Sequence, residues 1–269
     1  MNDIFRFKIA IQTIKNHWKT TIIITLLFMI MAVGYAAIFP AFEEAIIDMM
    51  NSEFYENFNF FPHADKMYTF TGYLTLELYT IFWLLILAIM LGFVAASSIS
   101  TEIEGKTIDL LMSNPVSRKQ IVIEKFIGLI PMFLVVNFGM MLAVMGITAA
   151  LNESLDFGNL FLVHIVSIPY FLAVLSLGIL ISVVIDEKMK SSIILIMILV
   201  GMFVLNSLSL TTPNYNWLGS FSFSHYFDTY NVLELGEVDL VGISVFVAVT
   251  IICLVVSMIY FEYRDIMIS

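Results

Sequence analysis

The chain has 269 residues, of which 60% are hydrophobic and 13% charged, against about 25% charged in an average soluble domain. That is too little charge to cover a soluble surface, and it excludes disorder, a coiled coil and a secreted disulfide scaffold; the single Cys253 cannot form an internal disulfide. The hydrophobic residues stand in long continuous runs and not in alternating segments of about ten residues, so the sequence predicts an all-α integral membrane protein and not a barrel.

Taken in chain order, the first element is amphipathic. Ile4, Phe7, Ile11, Ile14 and Trp18 recur at helical spacing, with Arg6, Lys15 and Lys19 off that face. This predicts an amino-terminal amphipathic helix lying in the membrane interface. Six apolar runs follow, each long enough to cross the hydrocarbon core, at about 20–39, 73–100, 121–150, 159–185, 191–211 and 239–261. Together they make residues 1–269 one transmembrane domain. The length of the first run and of the segment before it predicts an uncleaved anchor and not a signal peptide. In the second run, Ala88, Gly92, Ala96 and Ser100 stand four residues apart, a small-residue face that lets helix backbones approach closely in lipid.

Lysine and arginine predict the orientation, because they accumulate on the cytoplasmic side. Of the 12 basic residues, all but Lys66 fall in the amino-terminal segment 1–19, the segment 101–125, the link near Lys188 and Lys190, or the tail with Arg264. Both termini are therefore expected inside. Acids dominate the opposite side, from Glu43, Glu44 and Asp48 to Glu234, Glu237 and Asp239. No basic patch suits nucleic acid. The segment 212–239 is long and aromatic, with Tyr215, Trp217, Phe221, Tyr226 and Phe227, as is the first external loop with Phe54, Tyr55, Phe58, Phe60 and Phe61. Such residues favour the membrane–water boundary.

Enzyme motifs are missing. There is no HExxH, no clustered Cys/His ligand set and no GxSxG, and the four histidines are dispersed. His164 reads as a buried, hydrogen-bonded histidine, and Asn137 and Asn206 as packing residues or polar points along a path. Glu77, near the outer end of the second run, is either functional or in reach of interfacial water. Gly105-Lys106-Thr107 ends like a phosphate-binding loop, but Ser100 occupies the position of the first glycine and a membrane helix precedes it where a strand is required.

The same link carries the most informative stretch. It runs Glu102-Ile103-Glu104-Gly105-Lys106-Thr107-Ile108-Asp109-Leu110-Leu111, then Pro115-Val116-Ser117-Arg118 and, after a short gap, Lys125. On physical grounds it is a short amphipathic helix ended by Pro115, with Ser117 placed to cap the next helix. It resembles the signature of type-2 ABC exporter permeases: Glu, four residues, Thr, an apolar residue, an acid, Leu-Leu, two residues, Pro-Val-Ser-Arg, and a nearby Lys. Many members have Gly directly before the Thr; here that residue is Lys106, with Gly105 one earlier.

The resemblance implies a permease subunit that pairs with a second copy or a paralogue and binds separate ABC ATPase subunits from the cytoplasm. ATP and Mg would then sit on the ATPase, with no cofactor on this chain and no catalysis of its own. Residues 101–117 would form the coupling helix, with Glu102, Glu104, Gly105, Thr107, Asp109, Leu110, Leu111, Pro115 and Arg118 at the coupling site. Residues 213–235 would form a re-entrant external hairpin. The location would be the cell membrane. The competing classes are a channel, a secondary transporter, an intramembrane protease and a membrane sensor without an ATPase; the runs hold almost none of the buried charge, and none of the repeats, that a secondary transporter usually shows. The cargo is not written in the sequence.

Overall fold

The computed structural model describes residues 7–50, 63–108 and 116–264. Among them are six helices long and apolar enough to cross a membrane. They are α1 (Lys8–Met50), α2 (Phe70–Glu104), α3 (Arg118–Leu151), α4 (Phe157–Val184), α5 (Lys188–Thr211) and α6 (Leu240–Tyr263). The protein is all-α, and the five later spans lie within a few residues of their sequence-based positions. The aromatic residues 54–61, and Asp109, Leu110, Leu111 and Pro115, fall outside the described residues.

The first span differs from expectation. α1 is a single helix of 43 residues, about 65 Å long at 1.5 Å per residue and twice the hydrocarbon thickness. A separate interfacial helix is therefore not formed: residues 8–19 are the first turns of α1. The physical reason is local, since neither glycine nor proline occurs between Lys8 and Val33 to end the helix. The predicted apolar face keeps its character. Phe7, Ile11, Ile14 and Trp18 are exposed, while Ile9, Ala10 and Thr13 on the opposite side are buried. That buried side runs alongside α3 in the same direction, with Ala10 and Thr13 at Gly128 and Thr25 at Gly139.

Helix starts follow from their caps. Ser117 accepts from the Gln120 amide at 3.1 Å, Asp156 from those of Gly158 and Asn159, and Asp239 from that of Val241. Each satisfies a first-turn donor that the helix leaves free. Asn152 ends α3 in the left-handed conformation.

α2 is the central helix and the least regular. It winds as a π-helix over Leu74–Leu87. Within this stretch, Tyr79 meets His164 of α4 at 3.1 Å, and the other His164 ring nitrogen meets Asn137 of α3 at 2.8 Å. Asn137 also donates to the His164 carbonyl at 2.9 Å. His164 and Asn137 are fully buried, so this cluster joins three spans by hydrogen bonds where water is excluded. Further along, the small-residue face meets helices of this same chain. A Cβ added at Gly92 would lie 2.7 Å from Leu195 of α5, and one at Gly178 of α4 would lie 2.6 Å from Ala95 and 3.2 Å from the Gly92 carbonyl. The face is occupied within the subunit and does not offer itself to a second copy.

At the acidic end, residues 212–236 fold back on the helix bundle. Short 3-10 turns at Pro213–Phe221 and Phe223–Tyr226 lie on α5, and a π-turn at Asn231–Leu235 lies on α4. Asp228 accepts from the amides of Tyr230 and Asn231 and, at 2.7 Å, meets His63, whose ring stacks on Tyr230 at 4.6 Å. The hydrogen bond to Asp228 raises the His63 pKa, with burial opposing it. Burial works against the Asp228 carboxylate, yet His63 and the Asn231 and Tyr230 amides hold its pKa below the usual value. The histidine contribution is therefore complete below its unfolded pKa and fades as pH rises through the higher folded value; the aspartate contribution fades only in acid. This clamp should be strongest between about pH 4 and 6.5. Thermal unfolding in detergent at pH 6 and 8.5 should show a loss at the higher pH that shrinks in His63→Gln. An undiminished pH response in that variant would remove His63 from the account.

Candidate functional site: the link between the second and third spans

The end of α2 is built to turn. Ser98 and Ile99 interrupt the helix, and the amides of Ile99 and Ser100 donate to Ser182 of α4 at 2.7 and 3.0 Å. One hydroxyl thus satisfies two backbone donors that the interruption frees. A last turn, Ser100–Glu104, follows. Gly105 closes it with φ of −77°, and Lys106 takes the left-handed conformation at φ 55°. The residue directly before Thr107 is therefore the one that needs the conformation glycine adopts most easily.

Three widely spaced polar residues of the signature converge here. Glu102 accepts from Thr107 Oγ1 at 2.5 Å and from Lys125 Nζ at 2.9 Å. Lys125 lies two turns into α3 and is only 6% exposed. The carboxylate thus ties the link back onto α3. Glu104 is exposed and accepts from the amide of Lys188 at 2.8 Å, which joins the link to the start of α5.

Arg118 reaches the opposite side of the same layer. It donates to the carbonyls of Phe261, at 3.0 Å, and Arg264 at the end of α6, where unpaired carbonyls and the helix dipole favour a cation. Lys119 pairs with Glu262 at 2.7 Å, and Arg264 with Asp186 at 2.5 Å.

Sequence reasoning missed Glu124. This buried carboxylate accepts from the amides of Ile9 and Ala10 at 2.8 and 3.2 Å and from Gln120 at 2.6 Å. It is an anion on the unpaired amides at the start of α1. One turn on, Gly128 permits the approach, since a Cβ there would lie 2.8 Å from the Ala10 carbonyl. The available signal was an adjacent acid and base, Glu124-Lys125, in an apolar run. The layer formed by the link therefore touches the ends of α1, α3, α4, α5 and α6 through hydrogen bonds or ion pairs.

These features define a multi-pass membrane protein whose helix ends are tied together beside the link after the second span. A family model for ABC-2 family transporter proteins matches residues 11–266, nearly the whole length, and the chain belongs to that family. A comparison with curated proteins finds no match.

Proposed function

We propose that the chain is the permease subunit of an ATP-driven exporter. Two copies, or this chain and a paralogue, would form the path, and two ABC ATPase subunits carrying ATP and Mg would dock on residues 101–117 from the cytoplasm. The chain itself would have no catalytic site. The observation that carries the reading is the Glu102–Thr107–Lys125 cluster, which makes the link rigid with α3 while Glu104 joins it to α5. In this reading, closure of the ATPase pair moves the link, and the layer of helix ends transmits that motion to the spans. Glu102, Glu104 and Asp109 are the acids assigned to the ATPase, and residues 213–235 form the external hairpin.

The test is co-purification with the cognate ATPase. Glu104→Lys with Asp109→Lys should weaken binding about tenfold or more, as expected when charges at an interface lose their partners. The external pair Glu234→Lys with Glu237→Lys should leave it unchanged. Equal behaviour of the two pairs would sink the coupling assignment.

Orientation is tested separately. Single cysteines at Lys190 and Ser154, on a Cys253→Ala background, are treated in intact cells with an impermeant thiol reagent. Ser154→Cys should react and Lys190→Cys should not, because basic residues mark the inner side. The reverse pattern would invert the topology.

A further inference from the structure

A bowl of about 780 Å³ opens at the acidic end of the bundle, where the start of α2, the end of α3 and the start of α4 meet the π-turn Asn231–Leu235. Its volume is that of a site for a drug-sized ligand. The buried side chains of Phe70, Thr71, Thr148 and Leu233 form its floor, and half-buried Glu153 and exposed Asp156 and Glu234 stand on its rim. The rim is fixed in place. Asn152 turns left-handed after α3, so that the Glu153 amide donates to the Thr148 carbonyl at 3.2 Å. Asp156 caps α4, and the Asn159 side chain donates to the Glu234 carbonyl at 3.3 Å.

Hydroxyls on the helices of this chain commonly donate to the carbonyl one turn back, as Thr13 does to Ile9, Thr250 to Phe246 and Ser257 to Cys253. Thr148 is fully buried, yet its Oγ1 meets no partner. A buried hydroxyl left this way is costly, and a donor arriving from the bowl would complete it. The charge of the bowl has one sign. Glu153, Asp156 and Glu234 pair with no base among the described residues, and no lysine or arginine lines the bowl. Lys66, close to Thr69 in the chain, is held by Asp65 at 3.0 Å. Such a hollow concentrates cations. A metal ion does not suit it, because among the described residues no three acids, histidines or cysteines are placed to hold one. The bowl suits a cation whose charges are spread along a chain. Each ammonium supplies donors to carboxylates that only accept, and the methylenes between them cover Phe70, Leu233 and the exposed ring of Phe157.

We propose that this bowl binds an aliphatic polyamine, with its ammonium groups on Glu153, Asp156 and Glu234 and one N–H donated to Thr148. The site lies at the opposite end of the bundle from the link after the second span. It does not depend on ATPase docking, cargo or direction of transport, so it can fail while the exporter reading stands.

The full chain is placed in phosphatidylcholine nanodiscs, which carry no net lipid charge, and labelled spermidine is titrated by equilibrium dialysis at low ionic strength. Saturable binding of one spermidine per chain is expected, weakened several-fold at about 0.15 M salt. Glu153→Gln with Glu234→Gln should weaken it about tenfold, the order for two exposed ion pairs lost together. Glu237→Gln, outside the bowl, should leave it intact. Thr148→Val should weaken it about threefold without lowering the melting temperature of the spermidine-free chain, because the hydroxyl has no partner there to lose. If the paired variant does not fold, Glu153→Gln alone decides, through a loss of about threefold. Absence of saturable binding would overturn the proposal, as would an affinity indifferent to both the paired variant and Thr148→Val. Displacement of spermidine as readily by Mg²⁺ as by spermine would overturn it in favour of general screening of an acidic surface. Pentalysine binding tenfold or more tighter than spermidine would assign the bowl to a basic peptide instead.

Discussion

Glu102→Ala is expected to destabilise the fold by about 2–3 kcal/mol, below the range for a fully buried ion pair because the Glu102 side chain remains partly exposed. The loss comes mainly from what remains. Lys125 is 6% exposed, and its ammonium would be left buried without the carboxylate 2.9 Å away. Thr107 would also lose its acceptor. Adding Lys125→Met to Glu102→Ala should recover most of the loss, because an apolar side chain of similar length removes the stranded charge. The measurement is equilibrium unfolding of Glu102→Ala, Lys125→Met and the double variant in mixed micelles, read as a double-mutant cycle. A loss below about 1 kcal/mol for Glu102→Ala would place the pair with exposed ion pairs and undo its role as the tie between link and third span.

Gly178→Val should be nearly as severe, by another mechanism. A Cβ alone would stand 2.6 Å from Ala95 Cβ and 3.0 Å from the Ala96 amide. Two of the nearest atoms belong to the α2 backbone, so no side chain can swing aside; the helices must separate. Overpacking typically costs about 1–3 kcal/mol, and more where the backbone has to move. Separation would also pull Ser182, one turn further along α4, away from the amides of Ile99 and Ser100. The variant should give less monodisperse protein and a lower melting temperature. Gly201→Ala is the control, since a Cβ there meets nothing within 4 Å, and it should be neutral or stabilising. Tolerance of valine at Gly178 would contradict the close approach of α2 and α4.

Six spans and the family-level signature were legible in the sequence because they depend on properties each residue carries alone or shares with near neighbours. A run of apolar side chains crosses lipid whatever it touches, and the asymmetry of lysine and arginine needs no contacts to be counted. Ser117 was legible as a cap for the same reason, because the amide it accepts from lies three residues away. The amphipathic start was legible in its face but not in its form. Its exposed apolar residues are those the spacing indicated, yet the helix runs on unbroken to Met50.

Pairing across long separations was decided by the tertiary structure alone. Glu102 was marked by the signature as an acid of the coupling site, and the fold brings it onto Lys125, 23 residues away. Glu124 meets amides more than 110 residues distant, and His63 finds Asp228 across 165. The small-residue face of α2 was readable as a packing surface, but its partners, α4 and α5, were not. The physical reason is common to all of these. Hydropathy and net charge decide which medium a segment enters, whereas hydrogen bonds and close packing depend on which helix stands beside it, and in a bundle of similar apolar helices that choice rests on a few small residues and buried polar groups.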